Sequence, residues 1–132
     1  MAFVEEADVE TLAFDWGRLW WLSEKRVTGA RRFSVGVVDV GPGQGHGRHN
    51  HPGCEEIIYV LAGRGKFMVE VDGQPVEREI GPGALNYIAP SAFHSSLNTG
   101  SGPLRSVVVY CPAGPEDVLR RDKNVKILPP KR

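Results

Sequence analysis

From Phe33 to Cys111, short β-prone runs follow one another every eight to twelve residues, each closed by a turn signal. Such spacing suits an antiparallel sandwich or a closed barrel. The run at 33–40 is rich in β-branched residues, with Phe33, Val35 and Val37 on one face, and it stops at Gly41-Pro42-Gly43-Gln44-Gly45. Further runs at 56–61, 66–71, 75–80 and 84–89 end at Gly63, Asp72-Gly73, Gly81-Pro82-Gly83 and Pro90. Asp-Gly between two strands is a two-residue hairpin signal. A last run, 104–111, is broken by Pro112. No segment between Phe33 and Cys111 carries a 3.6-residue period, and only 116–121 suggests a helical turn. Sixteen Gly and ten Pro in 132 residues supply the turns without reaching low-complexity levels.

The expectation is therefore an all-β chain forming one domain over 1–132. Its parts are an N-terminal arm and strand (1–31), the barrel (32–111) and a C-terminal tail (112–132). All three tryptophans lie in 16–22, where a strand would set Trp20 and Leu22 on one face and Leu19 and Trp21 on the other. Two readings stand: plain core aromatics, or burial against the core on one side and a second subunit on the other.

Charge narrows the function classes. Sixteen Lys and Arg balance sixteen Asp and Glu, which argues against a dedicated nucleic-acid binder. The basic residues of the tail, Arg120, Arg121, Lys123, Lys126, Lys131 and Arg132, are expected to pair with the acidic arm that holds Glu5, Glu6, Asp8 and Glu10. The longest clear apolar run, 57–62, is far too short to span a membrane. The acidic start lacks the features of a secretory signal, so a cytoplasmic location is expected. Cys54 and Cys111 suggest thiols rather than a disulfide framework.

Three of the four histidines, His46, His49 and His51, fall within six residues. On an extended strand His49 and His51 share a side, Glu56 opens the next strand, and His94 lies beside a turn thirty-eight residues later. Imidazoles converging with one carboxylate suit Fe, Mn, Ni, Cu or Zn, whereas Mg and Ca prefer all-oxygen shells. Alone, a His-x-His pair is weak evidence, and turn decoration is its commoner explanation.

The spacing is more specific. Gly43-x5-His49-x-His51-x4-Glu56-x6-Gly63, followed by Gly83, His94 and Asn98, resembles the two motifs of the cupin superfamily over 43–98. One departure is visible: cupins usually place Pro at the position of Ala89 and Gly at that of Ser91, whereas here Pro90 lies between. The resemblance implies a small jelly-roll-like β-barrel, a double-stranded β-helix, in which His49, His51, Glu56 and His94 carry one divalent transition metal (Fe, Mn, Ni, Zn or Cu). It also implies a homodimer, in which Trp20→Ala or Trp21→Ala would weaken association.

Around these positions, strand alternation sets Ile58 and Val60 inside with Glu56, and Ile57 and Tyr59 outside with Glu55. Arg48 and Asn50 should point away from the site. His46 is expected to sit exposed on a turn, with substrate contact the alternative. Cys54 reads as a buried thiol or a soft ligand. Either Asn86 or Tyr87 should line the cavity, and Asn98 should brace a turn. No general acid or base is identifiable.

Members resembling this chain in size include dioxygenases, decarboxylases and isomerases or lyases. The expected role is thus a metalloenzyme acting on a small organic molecule, with a neutral or singly charged substrate suited to an apolar chamber. The alternative is a non-catalytic binding or sensing cupin, and a storage role is the third possibility. No helical DNA-binding segment accompanies the barrel motifs.

Overall fold

β-Branched and aromatic residues in alternation build eleven strands, which a computed structural model describes together with every other residue from 1 to 132. A seven-stranded antiparallel sheet runs β11-β1-β2-β3-β10-β5-β8. Its strands, in chain order, are β1 (Thr11–Phe14), β2 (Gly17–Ser23), β3 (Ser34–Val40), β5 (Glu55–Ala62), β8 (Leu85–Ile88), β10 (Leu104–Cys111) and β11 (Lys126–Leu128). The second sheet is β4 (Gly45–His49), β9 (His94–Asn98), β6 (Gly65–Val71) and β7 (Gln74–Ile80), in the order β4-β9-β6-β7. These are the two faces of the expected jelly-roll-like barrel.

Strand β10 shows how sequence sets the faces. Leu104, Ser106, Val108 and Tyr110 are buried, while the intervening Arg105, Val107 and Val109 turn to the other side. Leu104 joins Val40, Val60 and Phe67 in one core cluster, and Val108 and Tyr110 join Leu12, Leu19, Trp21 and Cys54 in another. The β6–β7 hairpin turns at Asp72 and Gly73, which take φ of 52° and 76°, the two positive values a two-residue type I′ turn needs.

Four strands exceed the sequence expectation: β1, β4, β9 and β11. Each is five residues or fewer, too short to carry a period of its own, and each is recruited by a neighbour. Strand β11 pairs with β1, so tail and arm meet in one sheet. Their charges meet too: Arg132 reaches Glu5 and Asp8, and Arg120 reaches Glu10 and the buried Glu24. Arg121, Lys123, Lys126 and Lys131 form no ion pair and remain solvated.

The tryptophan strand resolves into its two faces. Leu19 and Trp21 enter the core, where Trp21 is only 1% exposed and packs 5.5 Å from Tyr110. Trp21 is thus out of reach of a second subunit, and its replacement would test the core rather than an interface. Trp20 lies on the opposite face, its Nε1 donating to Thr11 Oγ1 at 2.9 Å.

Candidate metal centre

Three imidazoles meet inside the barrel. Strand β4 ends at His49, whose register partner across the sheet is His94, the first residue of β9. The ring centroids of this pair lie 4.2 Å apart. His51 does not continue the strand, contrary to expectation: it lies in the turn formed with Pro52 and Gly53, where its carbonyl accepts from Cys54 N at 3.0 Å. That turn folds it back, so one ring nitrogen from each of His49, His51 and His94 lies within 4.8 Å of the others, close enough for all three to hold one metal ion.

Glu56, buried on β5, completes the group. Its Oε1 stands 3.1 Å from His94 Nε2 and 3.3 Å from His51 Nε2. Burial opposes its ionisation, but the two imidazoles prevail and hold the carboxyl below its ordinary range. The same contact raises His94 against the burial that would lower it, and burial lowers His49.

Two rings are oriented by the backbone. His49 Nδ1 is 2.7 Å from Gly47 O, and His94 Nδ1 is 2.9 Å from Ala92 O. A carbonyl only accepts, so each Nδ1 bears a proton and each Nε2 is the ring nitrogen turned inward. Despite their proximity, His51 Nε2, His94 Nε2 and Glu56 Oε1 are buried without a hydrogen-bond partner. A divalent transition ion fits this donor set of nitrogens with one carboxylate.

The turn that carries His51 is held from the far side. Ser91, at the position where the cupin motif usually has glycine, adopts φ of 64° in the left-handed region. Its Oγ accepts from Gly53 N at 2.9 Å and its carbonyl from Asn50 Nδ2 at 3.0 Å. Two hydrogen bonds thus hold a conformation that glycine would reach without steric cost.

The centre opens into a cavity of about 960 Å³ between the sheets. Ile58 lines it and Val60 lies in the core beside it, as alternation requires, while Glu55 points out and accepts from Tyr87 Oη at 2.5 Å. Arg48 turns to the rim, paired with Glu70 at 2.6 Å and over the Phe93 ring. Cys54 is a buried thiol whose Sγ donates to backbone carbonyls of Glu55 and Pro112; burial pushes its pKa up. It does not join the imidazole cluster.

Other side chains also depart from the sequence reading, and Asn50, expected to point away, lines the cavity. Neither Asn86 nor Tyr87 reaches the cavity, because β8 is the edge strand and Tyr87 faces solvent. His46 is not exposed on a turn: it lies half-buried on β4, its ring edge-on to Trp16 at 4.4 Å, and lines the cavity. Burial first, then His49, lowers it to about 4. His46 and His49 are three apart and would face opposite ways on a regular strand, but the β4–β9 register shifts between them and lets both turn inward. Tyr110, directly across from Glu56, also lines the cavity and was missed, although the alternation of β10 signals it.

Comparison with known proteins gives a consistent picture. A cupin-domain family model matches residues 36–110. Protein SchB of Streptomyces halstedii is 37% identical over 87 residues, covering 66% of this chain and 60% of that protein. The glucose-6-phosphate isomerase of Thermococcus kodakarensis is 30% identical over 63 residues, 47% of this chain and 33% of that enzyme. The chain thus spans less than two thirds of the length of these curated relatives. Among solved structures, the Lactobacillus farciminis oxalate decarboxylase in complex with formate superposes with a TM-score of 0.72 at 27% identity, over 80% of this chain and 32% of that one. A predicted oxalate decarboxylase from Thermotoga maritima superposes with a TM-score of 0.69 at 23% identity, over 84% of this chain and 99% of that one, a likeness of fold.

Proposed function

The chain belongs to the cupin family, and from that premise we propose that it is a mononuclear metalloenzyme acting on a small organic molecule. His49, His51, Glu56 and His94 hold one divalent transition metal in this reading. The observation that carries it is the set of three buried atoms, His51 Nε2, His94 Nε2 and Glu56 Oε1, that face one another without a hydrogen bond. Each unsatisfied buried polar group costs on the order of 1–3 kcal/mol, and one cation satisfies all of them.

When bound, the metal supplies Lewis-acid polarisation of a substrate oxygen or, as iron, the electron chemistry that dioxygen reactions require. The chain itself orients His49 and His94 through the Gly47 and Ala92 carbonyls and surrounds the site with apolar walls at Val38, Ile58, Phe67 and Leu104. Activities of the decarboxylase, isomerase or lyase and dioxygenase types all fit such a site. A non-catalytic binding role is the second reading. It is favoured by the absence of a poised acid or base among the other wall residues: His46 is lowered to about 4, Cys54 and Tyr110 are pushed up by burial, and Arg48 is paired.

The test is elemental analysis of protein purified without tag or added metal, beside a His49→Ala, His94→Ala double variant. Near-stoichiometric Fe, Mn, Ni, Zn or Cu in the parent, lost in the variant, supports the centre. Little metal in both after reconstitution overturns it.

Pairing with a second copy uses the outer face of the larger sheet in this reading. Trp20, Val37, Val107, Tyr59 and Leu85 are consecutive register partners across five strands. Val35, Val109, Ile57 and Tyr87 form a parallel row. Tyr59, Leu85 and Tyr87 are exposed, which suits sheet-on-sheet packing of two copies. A Tyr59→Lys, Leu85→Lys variant should halve the mass in light scattering, and an unchanged mass removes this face from consideration. No helix is long and apolar enough to cross a membrane.

A further inference from the structure

We infer that the cavity beside the metal centre takes a largely apolar, ring-sized molecule with one anionic oxygen-donor head and uncharged oxygen substituents, and that His46 recognises one of those substituents. The head-group part rests on the metalloenzyme reading above; the apolar body and His46 do not.

Size comes first. A volume of about 960 Å³ lies at the upper end of the range for pockets that enclose drug-sized ligands, far more than a two-carbon acid fills. Trp16, Val38, Ile58, Phe67, Leu104 and Val108 supply aromatic and branched walls.

Charge comes second. A divalent ion held beside the Glu56 carboxylate would leave one formal positive charge, which a single anionic head would neutralise. A second negative charge finds no partner. Arg48 is the only Lys or Arg on the wall, and Glu70 already binds it at 2.6 and 3.2 Å while Phe93 covers its guanidinium at 3.7 Å. An unpaired ion against apolar walls is strongly disfavoured.

The third observation concerns neutral polar groups. The His46 ring and the hydroxyls of Ser96, Ser106 and Tyr110 line the cavity, and none makes a hydrogen bond to another protein group. They are scattered along an otherwise apolar wall, a pattern that matches hydroxyl or carbonyl substituents on a hydrophobic body. His46 is the best placed of them, because Trp16 holds its ring edge-on and His49 stands 6.1 Å away.

The experiment uses the purified full chain with its metal content measured on the same sample. The probes are 1-hydroxy-2-naphthoate, 2-naphthoate, uncharged 1-naphthol, oxalate and glucose 6-phosphate, followed by titration calorimetry and by tryptophan fluorescence, which reports on Trp16. Hydroxynaphthoate should bind at least tenfold more tightly than oxalate or glucose 6-phosphate. His46→Leu should weaken hydroxynaphthoate about fivefold, the worth of one hydrogen bond, and leave 2-naphthoate and metal content unchanged. His46→Gln, which restores a donor, should recover most of the loss and guards against a misfolded variant. Oxalate or glucose 6-phosphate binding as tightly as hydroxynaphthoate overturns the ligand class, and equal losses for both naphthoates overturn the role of His46. A metal-free protein that still binds 1-naphthol supports the apolar cavity while the metal reading fails. A metal-loaded protein that binds no naphthalene probe overturns the inference and leaves the metal reading standing.

Discussion

Asn98 offers a sharp test of how the end of β9 is held. Its side chain is almost fully buried, at 2% exposure, and makes three hydrogen bonds of 2.9 Å: Nδ2 donates to Val40 O and Gly102 O, and Oδ1 accepts from Gly100 N. Its backbone also exchanges bonds with Gly43 and Gln44, the lead-in to β4. Asn98→Ala removes all three side-chain bonds, at about 1 kcal/mol each, so a loss of about 3 kcal/mol is expected. That should lower the melting temperature by roughly 10 °C. Asn98→Asp keeps the shape and the acceptor for Gly100 N but turns an oxygen toward two carbonyl oxygens. Ionised, it should cost at least as much as alanine. Protonated, it regains one donor, so its folded pKa must lie above the unfolded value of about 3.9. A raised carboxyl pKa contributes stability that is present below the unfolded value and lost as pH rises through the folded one. The gap between parent and Asn98→Asp should therefore narrow from pH 7 to pH 4.5, while the gap for Asn98→Ala stays level. Urea unfolding followed by tryptophan fluorescence at both pH values gives the comparison, with effects common to all three proteins cancelling. An aspartate variant as stable as the parent at pH 7, or a gap independent of pH, refutes the reasoning.

Other outcomes follow from single contacts. Glu56→Gln should weaken metal binding by more than the roughly 10- to 100-fold cost of altering a group that only orients a ligand, measured by chelator competition; unchanged affinity would exclude Glu56 as a donor. Ser91→Gly trades relief of a left-handed φ against loss of the bond from Gly53 N, whereas Ser91→Ala loses the bond and keeps the strain. Denaturation should thus find the alanine variant less stable than the glycine variant by about 1–2 kcal/mol, and the reverse order would contradict the account. His46, held near 4 by burial, stays neutral in the fold while the unfolded chain takes up a proton near 6.5. Stability of metal-free protein should therefore fall as pH drops below about 6.5, and His46→Gln should reduce the loss between pH 6.5 and 4.5 by about 2 kcal/mol. Parallel stability curves for parent and variant would show that His46 is not buried as described.

What the sequence determined by itself was periodic or exactly spaced. Alternation fixed the long strands, so β10 and the inward set of Glu56, Ile58 and Val60 were legible, as were the Asp72-Gly73 turn and the outward direction of Glu55. The resemblance to the cupin motifs singled out His49, His51, Glu56 and His94, and the fold brings these four side chains together. Tertiary structure decided whatever local pattern could not encode. Strands β1, β4, β9 and β11 are too short to carry a signal and exist because a neighbouring strand satisfies their backbone. His46 faces the cavity only because a register shift breaks the alternation that would have turned it outward. Trp20 and Trp21 were separable by face, but which face was interior depended on the sheet that packs beneath. Ser91 showed the converse limit: its unusual φ was a question in the sequence, and the hydrogen bonds to Gly53 and Asn50 that answer it come from residues about forty positions away.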